Sequence, residues 1–166
     1  MTRSKRGYAR QVDALGLGIM PLDILFTIDK YPPAGGKLDA SQMIIQGGEI
    51  GMREIARDRV LTYSIIVKRG RSSDTAIGFV ERRSGRRTIA LHRGARLTAS
   101  DIETRHLPRP RLVHLDGRDL AACIKLARWA KSVGAIVTFD IGSIRNDVSP
   151  IFPLVDHLIV ADSYAI

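Results

Sequence analysis

Asp23, which follows the apolar run GLGIM after Pro21 and Leu22, is the first residue of this sequence whose type and place suggest chemistry. An ionised carboxylate only accepts hydrogen bonds, and its two oxygens suit the adjacent hydroxyls of a polyol. The same placement also suits a loop acid that caps a turn. Gly47 and Gly48 form a pair at the end of KLDASQMIIQ. Paired glycines let backbone N–H groups approach a hydroxyl or phosphate, and they also make simple turns. Three further acids each finish an apolar run: Asp116 in RLVHLD, Asp140 in AIVTFD and Asp162 in HLIVAD. Acids recurring at strand ends point to one functional edge, where they can line a cleft. Asp116 can equally cap the helix that starts near Asp119, and Asp140 can be satisfied by nearby backbone amides.

Other reactive residue types offer less. His92, His106, His114 and His157 show no metal spacing, so no metal ligand is assigned. His114 alternates with core residues and reads as a buried or half-buried, hydrogen-bonded imidazole. Cys123 shares an apolar helix face with Ile124 and Ala127 and reads as packing. No serine or cysteine sits in a nucleophile-elbow context, and there is no Walker A or kinase glycine-rich loop.

These residues need elements to position them. VDALGLGIM has the pattern of a buried strand, DILFTID continues in extended form, and YPPAGG must turn because two prolines and two glycines interrupt it. KLDASQMIIQ forms another strand, ending at Gly47 and Gly48. Glu49 to Arg59 is helical in pattern. YSIIVK, TAIGFVE and RTIALH are short alternating segments, and the last two, joined through Ser84 and Gly85, predict a hairpin. In the final third, three continuous apolar strands alternate with DLAACIKLARWAKSVG, a helix that Gly134 closes, and with NDVSPIFPLV, where two prolines allow only one or two helical turns. Strand and helix in alternation predict a parallel α/β sheet, whose ligands sit beyond the carboxyl ends of the strands.

Composition bounds the function. The chain has 166 residues with 45% hydrophobic and 26% charged content, which fits one globular domain. Its longest apolar stretches are strand-sized, so no membrane span is expected. One cysteine cannot form an internal disulfide, and the basic N-terminus lacks the apolar region of a secretory signal, so a cytoplasmic location is expected. Residues 1–11 read as a basic flexible arm. The net charge of +9 is spread over several basic clusters with neither a single aromatic-interleaved stripe nor a reading motif, which argues against a nucleic-acid partner. A diffuse positive field still favours anionic ligands such as a nucleotide triphosphate.

The run from Val12 to Gly48, VDALGLGIMPLDILFTIDKYPPAGGKLDASQMIIQGG, resembles the opening of a PfkB-type (ribokinase-like) carbohydrate kinase. Further on, VKRGRSSDTAIGFVERRSGRRTIALHRGA resembles the family's lid hairpin, with Gly85, Arg86, Arg87 and Thr88 where a glycine-glutamate-arginine-threonine turn is common. The resemblance implies a ribokinase-like parallel sheet with flanking helices over 12–166, incomplete, plus a small β lid with strands around 24–46 and 74–92. It implies transfer of the ATP γ-phosphoryl to a hydroxyl of a sugar or nucleoside substrate, with ATP and Mg2+ as cofactors. Asp23, Gly47 and Gly48 then stand where substrate is held, and Asp116, Asp140 and Asp162 line the cleft. Lid strands of similar kinases can meet across a dimer interface, so a homodimer is implied too.

The sequence departs from the family pattern in three places. After Gly48 the asparagine and alanine-rich helix of the family signature are missing, as if a few tens of residues were deleted. Where many members carry an asparagine and, three residues on, a glutamate that help position magnesium, this chain has Ala161 and Tyr164. The glycine-alanine-glycine-aspartate motif that supplies an anion hole and a base does not occur. The expectation is therefore the N-terminal portion of such a kinase, substrate-binding but with no catalytic residue of its own. The alternative is a non-catalytic sugar-binding or dimerisation module derived from one.

Overall fold

The computed structural model describes residues 11–19, 21–47, 69–142 and 147–161. The expected helix over 49–59 and the segment YSIIVK lie outside the described residues. Two compact units emerge, one made of Met1–Gly18 with Arg96–Ile166 and the other of Ile19–Ala95.

The first unit is built on a parallel sheet in the order β1-β6-β7-β8, comprising Gln11–Leu17, Arg109–Leu115, Ile136–Ile141 and His157–Val160. Every neighbouring pair runs parallel, with Leu15 beside Val113, Val113 beside Val137 and Phe139 beside Leu158. A strand alternates its side chains, so Val113, Leu115, Val137, Phe139 and Ile141 face one way and are buried together. Helix α1, Leu120–Ser132, covers that face with Ala122, Cys123, Leu126, Ala127 and Ala130. Four of these five are small, which lets the helix lie close against the branched side chains of the strands. Short 3-10 turns at Ala99–Asp101 and Ser149–Leu154 complete the core, the second with Ile151 fully buried.

Helix α1 ends as its sequence predicts. Gly134 takes φ +78, its N–H donates to the Lys131 carbonyl at 3.1 Å and the next N–H, of Ala135, reaches back to Ala130 at 2.9 Å. This is the Schellman arrangement, which needs a residue without a Cβ penalty at the left-handed position. The chain then enters β7 under a clamp. Lys131 Nζ donates to both oxygens of Asp156, at 2.7 and 2.9 Å, and Asp156 Oδ2 accepts the Val137 N–H at 2.8 Å. Asp156's carboxyl is held below its usual range by the Lys131 hydrogen bond first and the Val137 amide second.

The second unit is a mixed sheet in the order β3-β2-β4-β5, comprising Gln42–Gly47, Leu22–Ile28, Thr75–Glu81 and Arg87–His92. β2 pairs antiparallel with β3 and parallel with β4, and β4 pairs antiparallel with β5. The hairpin expected through Ser84 and Gly85 is present, with Gly85 at φ +68 and the Glu81 N–H bonded to the Arg86 carbonyl at 2.9 Å. YPPAGG turns as expected, the Gly36 N–H donating to the Pro33 carbonyl at 2.9 Å. Phe26 and Phe79 stack across β2 and β4 with ring centroids 5.8 Å apart. No helix among the described residues is long and apolar enough to cross a membrane.

Candidate functional site

Asp23 is the second residue of β2, so it is a strand residue and not the loop acid that its place after GIMPL suggested. Its register partners are Gln46 on β3 and Ala76 on β4. Strand alternation therefore puts the half-buried Asp23 carboxylate on one sheet face with Gln46, Leu25 and Ile44. No described residue donates a hydrogen bond to it, which leaves its acceptor sites open to a ligand. Gly47 ends β3 directly opposite Leu22. The β2·β3 pairing thus brings Asp23 and Gly47 to the same end of the sheet, although many residues separate them in the chain. Gly48 lies outside the described residues.

The other two described acids belong to the first unit. The backbone N–H of Asp116 donates to the Leu17 carbonyl at 3.2 Å, extending the β1·β6 ladder to the carboxyl edge of the sheet. Its Oδ1 accepts the Arg118 N–H at 2.9 Å, closing a turn before α1. The helix N-cap is Asp119, whose own carboxylate makes no capping bond to the helix. Asp116 therefore orders the approach to α1, not its first turn. Two glycines make room around it: a Cβ at Gly18 would lie 3.0 Å from Asp116 Oδ2, and a Cβ at Gly117 would lie 2.9 Å from Phe139 Cζ and 3.4 Å from the Asp140 carbonyl. Gly117 has φ +69, a second reason for glycine there.

Asp140 occupies β7 beside Ile159 of β8, on the face opposite Phe139, and is half-buried. Among the described residues no backbone amide satisfies its side chain. Asp116, Gly117 and Asp140 thus share the carboxyl edge of one parallel sheet, where such sheets receive ligands. Asp162 lies outside the described residues.

Four other residues resolve differently from, or more sharply than, the sequence reading. His114 is exposed and not half-buried, because Val113 and Leu115 take the α1 side and turn it to the other face; its Nδ1 lies 2.9 Å from Thr138 Oγ1. Cys123 is fully buried, and desolvation first, then the neighbouring Asp116 charge, push its thiol up to about 12, so it stays protonated and packs. Arg86 lies over the Tyr31 ring, 5.8 Å from its centroid, and Arg82 pairs with Asp29 at 3.2 Å, which are local turn roles. Sequence reasoning missed Gly18, whose one signal was a glycine two residues beyond another in LGLGIM.

Among the described residues no group of three His, Cys, Asp or Glu side chains is placed to hold a metal. Ala161, at a position where the family pattern has a side-chain ligand, carries only a methyl group. The described residues do not fit a magnesium site.

The sequence matches no family profile and no curated protein. Solved structures do match. Ribokinase from Giardia lamblia superposes with TM-score 0.68 at 15% identity over 93% of this chain and 57% of its own. Arabidopsis thaliana ribokinase, solved with ribose and ATP, gives 0.60 at 16% identity over 89% and 59%. Burkholderia thailandensis nucleoside kinase, solved with inosine, gives 0.61 at 13% identity over 92% and 61%. The chain spans about 60% of the length of the structures it matches. The parallel four-stranded sheet with a second small sheet therefore has the ribokinase-like α/β fold of these structures, over part of their length.

Proposed function

We propose that this chain is the N-terminal portion of a PfkB-type sugar or nucleoside kinase and that its own contribution is to hold the phosphate-accepting substrate. The observation that carries this reading is Asp23. A half-buried carboxylate in a strand, with no donor among the described residues, sits one strand position from the Gly47 end of β3. Its two oxygens are suited to two adjacent hydroxyls, and the glycine end offers backbone amides without side-chain obstruction. In this reading Gly48 continues that glycine contact, the 74–92 hairpin helps to exclude water, and Asp116, Asp140 and Asp162 line the cleft. The reaction of the whole protein is transfer of the γ-phosphoryl of ATP, with Mg2+, to a substrate hydroxyl. No step is assigned to residues of this chain, because the glycine-alanine-glycine-aspartate motif that would supply a base and an anion hole does not occur in its sequence. The setting is cytoplasmic.

The test is an ADP-release assay run beside a thermal-shift series with ribose and inosine, on the 166-residue chain and its Asp23→Asn variant. Ligand-dependent stabilisation that the variant loses, without turnover, supports the reading. Sugar-dependent ADP release by the chain alone contradicts it.

A second reading, a dimerisation module, is favoured by the opposite face of the lid sheet. Ile45, Ile24 and Ile77 stand in one cross-strand row and Met43, Phe26 and Phe79 in the next. Met43 is 58% exposed and Ile45 59%. No charged side chain interrupts the two rows, which is unusual for a monomer surface. A second copy laying the same face against it makes an isologous contact that buries both. Sedimentation analysis is expected to show a dimer that Phe79→Glu converts to monomer; a wild-type monomer at tens of micromolar rules the dimer out.

A further inference from the structure

Asp23 shares its face of the mixed sheet with neighbours of a different character. Across the strands its row reads Gln46 on β3, Asp23 on β2, Ala76 on β4 and Leu91 on β5. Register partners project from the same face, so these four side chains form one surface. The row is divided in two: an amide and a carboxylate stand on β3 and β2, and only hydrocarbon stands on β4 and β5. The next row continues that hydrocarbon through Leu25, Gly78 and Ile89.

Gly78 shapes this surface. A Cβ there would lie 2.7 Å from Leu25 Cδ2 and 3.6 Å from Ile89 Cγ1, so Leu25 leans across β4 into space that a larger residue would fill. The result is a shallow depression floored by Ala76, with Asp23 on one side, Leu91 on the other and Leu25 closing one end. Leu91 is 37% exposed and Ile89 49%, so both are open to contact. Adjacent strands lie about 4.8 Å apart, which sets Leu91 about 10 Å from Asp23, two strands away. A sugar ring held by its hydroxyls at Asp23 covers Ala76 and leaves Leu91 and Ile89 to whatever the ring carries. A hydroxyl pressed there gives up water without gaining a partner, whereas a planar base gains by covering the hydrocarbon.

We propose that Leu25, Ile89 and Leu91 select the acceptor, and that it is a nucleoside, a sugar ring bearing a planar base, with a free sugar only a poor ligand. The proposal rests on the assignment of Asp23 to the substrate hydroxyls. Asp23 and Gln46 take the ribose, Gln46 offering both a donor and an acceptor, and the hydrocarbon strip takes the base. The three apolar residues set specificity and touch no reacting atom. Leu25 holds its place in the strip only while position 78 lacks a side chain.

Calorimetric titration of the 166-residue chain with inosine and with methyl β-ribofuranoside tests this, because the two share the ribose hydroxyls and differ in the base. Inosine should bind at least about tenfold more tightly, and Leu91→Thr should cut that preference at least about threefold. Ile89→Thr, at an exposed position and still β-branched, repeats the test should Leu91→Thr fail to fold. Equal affinity for the two ligands, with both weakened in Asp23→Asn, overturns the proposal and leaves the assignment of Asp23 intact. Binding of neither ligand by a folded chain, or binding that Asp23→Asn leaves unchanged, overturns that assignment and the proposal with it. An inosine preference that both apolar variants leave unchanged overturns the proposal, and a fall in sedimentation coefficient alongside it assigns the strip to a second copy.

Discussion

The two sheets use the same kinds of residue and bury them very differently. In the parallel sheet, Val113, Leu115, Val137 and Phe139 reach 0% exposure beneath α1. In the mixed sheet, Ile28 and Ala76 are the buried hydrophobic residues among those described, while Met43, Ile45, Ile77, Phe79, Ile89 and Leu91 remain exposed. The first sheet is held by its own core. The second is held by its hydrogen-bond ladders and leaves apolar side chains exposed. Asp23 stands on one face of that outward-looking sheet and the uninterrupted apolar rows on the other. The proposed ligand and the proposed second copy therefore fall on different faces of the same four strands.

Mutations that remove the same side chain from each sheet should separate the two. Phe139→Ala empties a fully buried ring site and is expected to cost about 3–5 kcal/mol in chemical denaturation. Phe79→Ala, in a residue 38% exposed, should cost well under half of that, on the order of 1 kcal/mol, with the protein kept dilute. Equal losses would mean that the lid sheet has a core of its own and would remove the contrast. A smaller effect sharpens the account of the first unit. Gly134→Ala forces a Cβ into the left-handed C-terminal position of α1 and should cost about 1 kcal/mol in the same assay. No loss would mean that α1 does not depend on this closure.

The smallest effect is pH-dependent. The Lys131 and Val137 contacts make the folded Asp156 carboxyl more acidic than it is when unfolded, so its stabilisation is complete above the unfolded value near ~3.9 and fades as pH falls through the folded one. Urea midpoints should therefore decline below about pH 4 in the wild type, and more shallowly in Asp156→Asn. An identical decline in both would show that the clamp adds nothing to stability.

Much of the first unit was legible because each element announced itself locally. RLVHLD and AIVTFD are continuous apolar runs, as strands of a parallel sheet must be, and α1 carries its small apolar stripe and closing glycine in sequence. The β4·β5 hairpin was legible from Ser84 and Gly85 for the same reason. What could not be read depends on distant partners. LGLGIMPLDILF is apolar almost throughout, so nothing in it marks that Leu17 ends a strand of one sheet and Leu22 begins a strand of another. Asp23 consequently reads both as the start of an extended segment and as a loop acid. The exposure of His114 follows from which face α1 covers, and the burial of Asp74 and Asp119 from backbone amides of residues 94 and 97. The resemblance named the fold where periodicity alone gave only strands and helices.

The most direct test of the central claim is calorimetric titration of the folded 166-residue chain with ribose and with inosine, in parallel with Asp23→Asn. Saturable binding of at least one of them, weakened tenfold or more when the carboxylate becomes an amide, about 1.4 kcal/mol, is the predicted result. Binding of neither ligand by a chain shown to be folded, or equal binding by the variant, would contradict the assignment of Asp23 to the substrate.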